Sequence, residues 1–146
     1  MNWLYEGAEY ELPEGVDHSD IYGFVYLITN IENGRKYIGK KFFWRKKILP
    51  ITKTRKRRKH TQVESDWRSY YGSSEELNSD IEKYGKDNFR REILHICKTK
   101  GECGYLEAKE QFVRDALLTD EYYNTWIQVR VRKNHINGLH LKENGV

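Results

Sequence analysis

Between residues 40 and 60 the sequence carries eleven bases and no acid: Lys40, Lys41, Arg45, Lys46, Lys47, Lys53, Arg55, Lys56, Arg57, Arg58 and Lys59. Cations at this density repel one another unless a polyanion meets them, and the commonest polyanion is a phosphate backbone. The chemistry open to such a segment is phosphate binding, so nucleic acid is the first partner to consider, with a solvated basic loop as the plainer alternative. Phe42, Phe43 and Trp44 lie within it and could stack on bases or anchor one side of an element in a core. His95, Cys97 and Cys103 are zinc-ligand types, but their spacing does not match a zinc knuckle and no fourth ligand is evident. Cys97 therefore reads as a small buried hydrophobe.

The chain that must position these groups has 146 residues, a formal charge of +4 and an aromatic fraction of 14%. One domain is the expectation, with much of its apolar area concentrated in rings. No apolar run reaches the roughly 18 residues that suggest a membrane span, and the start of the chain holds acids rather than a basic and then an apolar region. A cytoplasmic protein with no membrane partner is expected, and two cysteines cannot build a disulfide framework. Residues 1–20 contain six acids and no Lys or Arg, which reads as an acidic arm able to fold over the basic segment as an internal phosphate mimic. Residues 129–146 read as a basic tail.

Between these ends the elements follow from local pattern. Phe24 to Ile31 is a continuous apolar and β-branched run, Asn33-Gly34 is a hairpin signal, and Arg35 to Ile38 returns as a second strand ended by Gly39. Lys40 to Lys47 is expected to begin a helix that Pro50 stops, followed by a basic loop. Ser73 with Glu76 forms a capping box before Leu77, Ile81 and Tyr84, and Gly85 closes that helix. Phe89 to Cys97 reads as a strand. Tyr105 to Leu118 reads as a helix with a stripe of Tyr105, Leu106, Phe112, Val113, Ala116 and Leu117. The pattern predicts an α+β (α/β) domain with a small antiparallel or mixed three-stranded sheet and flanking helices.

Within that frame, Gly23-Phe-Val-Tyr-Leu-Ile-Thr-Asn and, eleven residues after Tyr26, Lys36-Tyr-Ile-Gly-Lys resemble the paired signature of the GIY-YIG endonucleases. Tyr37-Ile38-Gly39 matches the second element letter for letter, whereas Phe24-Val25-Tyr26 replaces the first. Tyr71-Gly-Ser-Ser, Tyr84-Gly-Lys-Asp-Asn-Phe, Glu92-Ile-Leu, Leu106-Glu-Ala-Lys-Glu-Gln-Phe and Tyr122-Tyr-Asn continue the likeness. It spans about residues 22–126, within an expected domain at 21–128, and is strongest to the small phage-type members.

The resemblance implies a standalone DNA endonuclease, encoded by a phage or other mobile element, that hydrolyses phosphodiesters with Mg²⁺ or Mn²⁺. If phage-encoded, it would act in the host cytoplasm. It implies Tyr26 and Tyr37 as water-positioning residues, Glu110 as the metal ligand, Arg45 as the phosphate clamp and Asn124 as a supporting hydrogen-bonding group. At about 100° per residue Glu110 falls beside the apolar stripe of its helix and Glu107 about 60° farther round, which favours Glu110. The family spacing lands near Lys47, and Arg57, Arg58 or Arg68 are alternatives to Arg45. The basic residues, with Arg68, are the expected DNA contacts. A monomer would nick one strand, and a homodimer or a second encounter would be needed to cut both. The alternative is a catalytically weak nucleic-acid-binding module on the same scaffold.

Overall fold

An eight-residue strand with every position buried organises the fold. The computed structural model describes residues 2–54, 57 and 59–139. In chain order it contains β1 (Leu4–Tyr5), β2 (Ala8–Glu9), β3 (Gly23–Asn30), β4 (Lys36–Phe42), β5 (Trp44–Leu49), β6 (Lys59–Glu64), α1 (Glu75–Tyr84), β7 (Phe89–Cys97) and α2 (Lys100–Val113). The main sheet has five strands in the order β2-β1-β7-β3-β4, with β3 antiparallel to both neighbours and β1 parallel to β7. β5 and β6 form a separate two-stranded antiparallel ribbon. The architecture is the expected mixed α+β fold, with a sheet wider than the three strands predicted.

Strand alternation sends β3 side chains to two cores. Phe24, Tyr26 and Ile28 join Trp3, Phe43, Trp67, Leu77 and Phe89 on one face, and Val25 and Leu27 join Ile38, Cys97, Cys103 and Tyr122 on the other. α1 is capped by Ser74, whose Oγ accepts from the Leu77 backbone N–H at 3.2 Å, one residue beyond the expected cap. The β3–β4 hairpin occurs where expected. Its loop is longer than a two-residue turn, with the Asn30 N–H donating to the Arg35 carbonyl at 2.8 Å and Gly34 at a φ of 75°.

Residues 1–20 are not a separate arm, because β1 and β2 extend the sheet and Trp3 is only 2% exposed. The Trp3 indole N–H donates to the Trp67 carbonyl at 2.7 Å and its ring meets Phe24 edge-on at 4.9 Å. Of the early acids, Glu11 pairs with Arg68, while β1 and β2 lie at the sheet edge opposite β4. Among the described residues, none of the six early acids pairs with a base of residues 40–60.

The helix expected from Lys40 is absent. β4 runs through to Phe42, and Trp44 opens the ribbon. The extended backbone is held because Phe43 is fully buried against Trp67, and the Trp44 indole donates to the Ile21 carbonyl at 2.8 Å. Strand formers Thr61 and Val63 then pair with Lys47 and Arg45. The tail also packs at least to Leu139: Thr99 Oγ1 donates to the His135 carbonyl at 3.4 Å beside the start of α2. Among the described residues no helix is long and apolar enough to cross a membrane.

Trp3→Ala is expected to cost about 3–5 kcal/mol, since it removes a buried ring and leaves the Trp67 carbonyl without its donor. The midpoint of urea unfolding measures this, and an unchanged midpoint would mean that the first strand does not belong to the core.

Candidate active site

Tyr26 on β3 stands directly opposite Gly39 on β4. Its ring lies across that glycine so closely that a Cβ at position 39 would overlap the phenol. Gly72, at a φ of 89°, permits a second approach: a Cβ there would come within 3.4 Å of both the Tyr26 hydroxyl and the Tyr37 ring. Tyr26 and Tyr37 thus converge with centroids 6.2 Å apart. Tyr70 meets Tyr26 edge-on at 6.0 Å. Arg91, nearly buried on β7, fixes that segment by donating to the Arg68 and Tyr70 carbonyls at 3.0 and 2.8 Å.

These rings line a cleft of about 660 Å³ at the Gly39–Lys40 stretch of the edge strand, together with Ser73, Glu107, Gln111 and Asn124. Asn124 grips the strand from outside. Its Oδ1 accepts from the Ile38 N–H at 3.0 Å and its Nδ2 donates to the Ile38 carbonyl at 2.8 Å, to which Gln111 Nε2 also donates at 3.2 Å. It thereby holds the peptide between Tyr37 and Gly39, which gives it a positioning contact.

Of the two α2 glutamates weighed above, the one that lines this cleft is Glu107, facing Glu75 and Glu76 at the start of α1. Cys103, Glu107 and Gln111 recur every four residues along α2, and the first and last are buried beneath β3 and β4. Glu110 turns instead toward β7 and a second cleft of about 950 Å³. There its Oε1 lies 3.1 Å from His95 Nε2, and Arg114 Nε donates to its Oε2 at 2.8 Å. The geometry thus places Glu107, and not the expected Glu110, beside the two tyrosines. The apolar stripe that guided it is largely not the packed face: Phe112 is 61% exposed and Val113 66%. The helix itself also begins earlier than expected, at Lys100.

The electrostatics of the two glutamates differ accordingly. Desolvation raises the pKa of Glu107, although Lys40, with Nζ 3.5 Å away, pulls against it. His95 first, and then Arg114, hold Glu110 down at about 2. Burial raises Tyr26 well above the usual phenol range and Tyr37 in the same direction, with Ser73 opposing the shift on Tyr37. Both phenols therefore stay protonated at neutral pH.

Arg45 lies exposed on the ribbon and does not line this cleft, whose close cation is Lys40. Lys41 pairs with Asp66 at 2.6 Å and stacks over Tyr70. Arg68 is engaged by Glu11 and Glu64. Lys46, Lys47, Lys53 and Arg57 are exposed. Arg55, Lys56 and Arg58 fall outside the described residues, as does the side chain of Lys59. Tyr70 escapes the sequence motifs, in which the neighbouring Tyr71 is the landmark. The adjacent tyrosine pair was the available signal.

A hairpin presenting two tyrosines beside a helix-borne carboxylate, all facing one cleft at a sheet edge, is the central feature of this α+β domain. The family model described as "Putative endonuclease segE, GIY-YIG domain" matches residues 3–127, so this chain belongs to the GIY-YIG endonuclease family. It is 34% identical over 104 residues to a protein of Enterobacteria phage T4 described as "Putative endonuclease segE". That alignment takes in 71% of this chain and 40% of the relative, so the chain spans about two fifths of the relative's length. No solved structure matches it significantly.

A carboxylate whose native pKa is depressed adds stability above its unfolded value and loses it as the pH falls through the native one. For Glu110 the window runs from about 4.5 down to about 2. Glu110→Gln is therefore expected to lower stability at pH 7 by on the order of 1–3 kcal/mol. Thermal unfolding of both proteins against pH measures this, and the two curves should merge as the pH approaches 2.

Proposed function

We propose that this cleft hydrolyses phosphodiester bonds in DNA with a divalent cation held at Glu107, and that the protein serves a phage or another mobile element. The observation that carries the reading is the meeting of Glu107, Lys40 and the tyrosines in one cleft, on strands that continue into the basic ribbon. The family membership supports endonuclease activity, and the phage relative supports the source.

The donor set suits Mg²⁺ or Mn²⁺. Glu107 is a partly desolvated carboxylate that gains from a nearby cation, and Mg²⁺ is commonly bound through one or two carboxylates, with water and substrate phosphate completing its shell. No group of three or more His, Cys, Asp or Glu side chains suited to a metal occurs among the described residues. When bound, the ion would supply positive charge to the phosphoryl oxygens and the departing 3′ oxygen.

The chain's own groups take the remaining roles. The Lys40 ammonium sits where it can meet a phosphate oxygen and balance Glu107. Tyr37, half-buried with its hydroxyl 3.5 Å from Ser73 Oγ, orients the attacking water as a neutral phenol. Tyr26 stays protonated, and its edge-on contact with the Tyr70 ring keeps it in place. Asn124 and Gln111 hold the Ile38 peptide, so the tyrosine and lysine on either side of it keep a fixed relation. The absence of an arginine from the described lining of the cleft favours a second reading, slow catalysis on a scaffold whose main work is binding.

Conversion of supercoiled plasmid to nicked form tests both. Wild type should nick in Mg²⁺ and stop in excess chelator, with Glu107→Gln reduced by at least about a hundredfold. Glu110→Gln should stay within a few-fold of wild type at a temperature where it is folded. Retardation of DNA without cutting by any of these proteins would establish the binding reading. Loss confined to Glu110→Gln would return the metal to that residue.

A further inference from the structure

The ribbon is the feature that the cleft chemistry does not use. Its strands share six consecutive pairs, from Trp44↔Glu64 to Leu49↔Lys59. At about 3.4 Å per residue it extends roughly 20 Å. It has no ladder in common with the main sheet. Both of its ends are tied to the core beside the cleft. At the outgoing end the Phe43 N–H donates to the Tyr22 carbonyl at 3.0 Å. At the returning end the Ser65 N–H donates to the Phe43 carbonyl at 2.8 Å and Ser65 Oγ to that of Phe42 at 2.7 Å. One strand leaves four residues after Lys40 and the other returns into Tyr70, both residues of the cleft.

The side chains along this ribbon are those of a groove reader. Arg45, Lys46 and Lys47 are exposed on β5, and among the described residues no carboxylate lies within ion-pair distance of Lys46 or Lys47. Opposite them, in register, stand Val63, Gln62 and Thr61. Gln and Thr can hydrogen-bond base edges, and Val can meet a thymine methyl. The only acid on the ribbon, Glu64, is at its base and is engaged by the Trp67 indole and Arg68. Among the described side chains no exposed aromatic ring projects from the ribbon for stacking on unpaired bases, because the Trp44 indole is turned to the Ile21 carbonyl.

The geometry points to the β5–β6 ribbon entering the major groove of duplex DNA beside the cleft; this rests on the reading of the cleft as a DNA nuclease. A major groove about 12 Å wide admits a two-stranded ribbon, whereas the major groove of A-form RNA is too narrow for side chains to read. Because both ribbon ends are tied beside Tyr70 and Lys40, a groove contact of this kind would bring an adjacent phosphate to the tyrosine cleft.

The test uses the full chain in excess chelator, so that binding is read without cutting. Its affinity is measured by fluorescence anisotropy for duplex DNA, the same sequence as duplex RNA, and single-stranded DNA. The DNA titration is repeated with methyl green, which occupies the major groove, and with netropsin, which occupies the minor groove. Duplex DNA should bind at least about tenfold more tightly than either other form, and methyl green but not netropsin should displace the protein. The combined Arg45→Ala, Lys46→Ala and Lys47→Ala variant, shown folded by its melting curve, should bind more weakly, with the slope of log affinity against log salt reduced by roughly 0.9 for each phosphate that the variant no longer neutralises. Equal affinity for RNA, displacement by netropsin alone, or an unchanged salt slope in the variant would overturn the assignment. A wild-type chain that shows this groove preference but never cuts in Mg²⁺ would remove the nuclease reading and leave the ribbon contact standing.

Discussion

The phenol of Tyr26 lies across Gly39, and the cleft depends on that contact. The ring is almost wholly buried, and it fits only because the residue opposite has no side chain. Once it lies there, its hydroxyl is directed past β4 toward Gly72, whose positive φ takes the chain close enough for Tyr70 and Tyr37 to reach the same point. Interiors packed at protein density do not absorb an added methyl group at such a position without displacing something. Two glycines thus do for this site what a larger enzyme does with loops, bringing rings from distant parts of the chain into contact.

A second constraint acts on the backbone. Ile38 belongs to an edge strand, and an edge peptide presents unpaired groups. Asn124 supplies both a donor and an acceptor to that peptide, in the manner of a neighbouring strand, while the adjoining segment adds a backbone bond from the Tyr123 N–H to the Lys36 carbonyl at 2.7 Å. Satisfying these groups with a side chain leaves the outer face of Gly39 and Lys40 open. The cleft exists where the edge is left uncovered.

How much of this was legible in the sequence differed by the kind of signal. β3, β7 and α1 were legible because their patterns are local: a continuous apolar run, a segment of strand formers ending at Cys97, and a capping serine before spaced apolar residues. The tyrosines were legible from motif spacing. The ribbon was not, because eleven bases conceal strand propensity and its partner strand lies beyond a loop. The phase of α2 was misjudged for a different reason: its exposed face is as apolar as its buried one, so periodicity alone could not say that Glu107 rather than Glu110 looks into the cleft. Tertiary packing, in the form of Gln111 reaching Ile38, sets that phase. Trp3 was hidden among acids, and an acidic composition was mistaken for an unattached segment.

The parallel pairing of β1 with β7 places Leu4 beside Glu92. Such a pairing closes the longest loop in the sheet, and long loops are the slow step in forming β structure. During synthesis the first strand therefore waits for most of the domain to emerge before its docking site exists. Until then Trp3, Phe24 and Phe43 are exposed to the solvent and to other nascent chains. The six early acids flank the first of these rings throughout that wait. Charge placed next to an unpaired aromatic strand opposes its association with other strands.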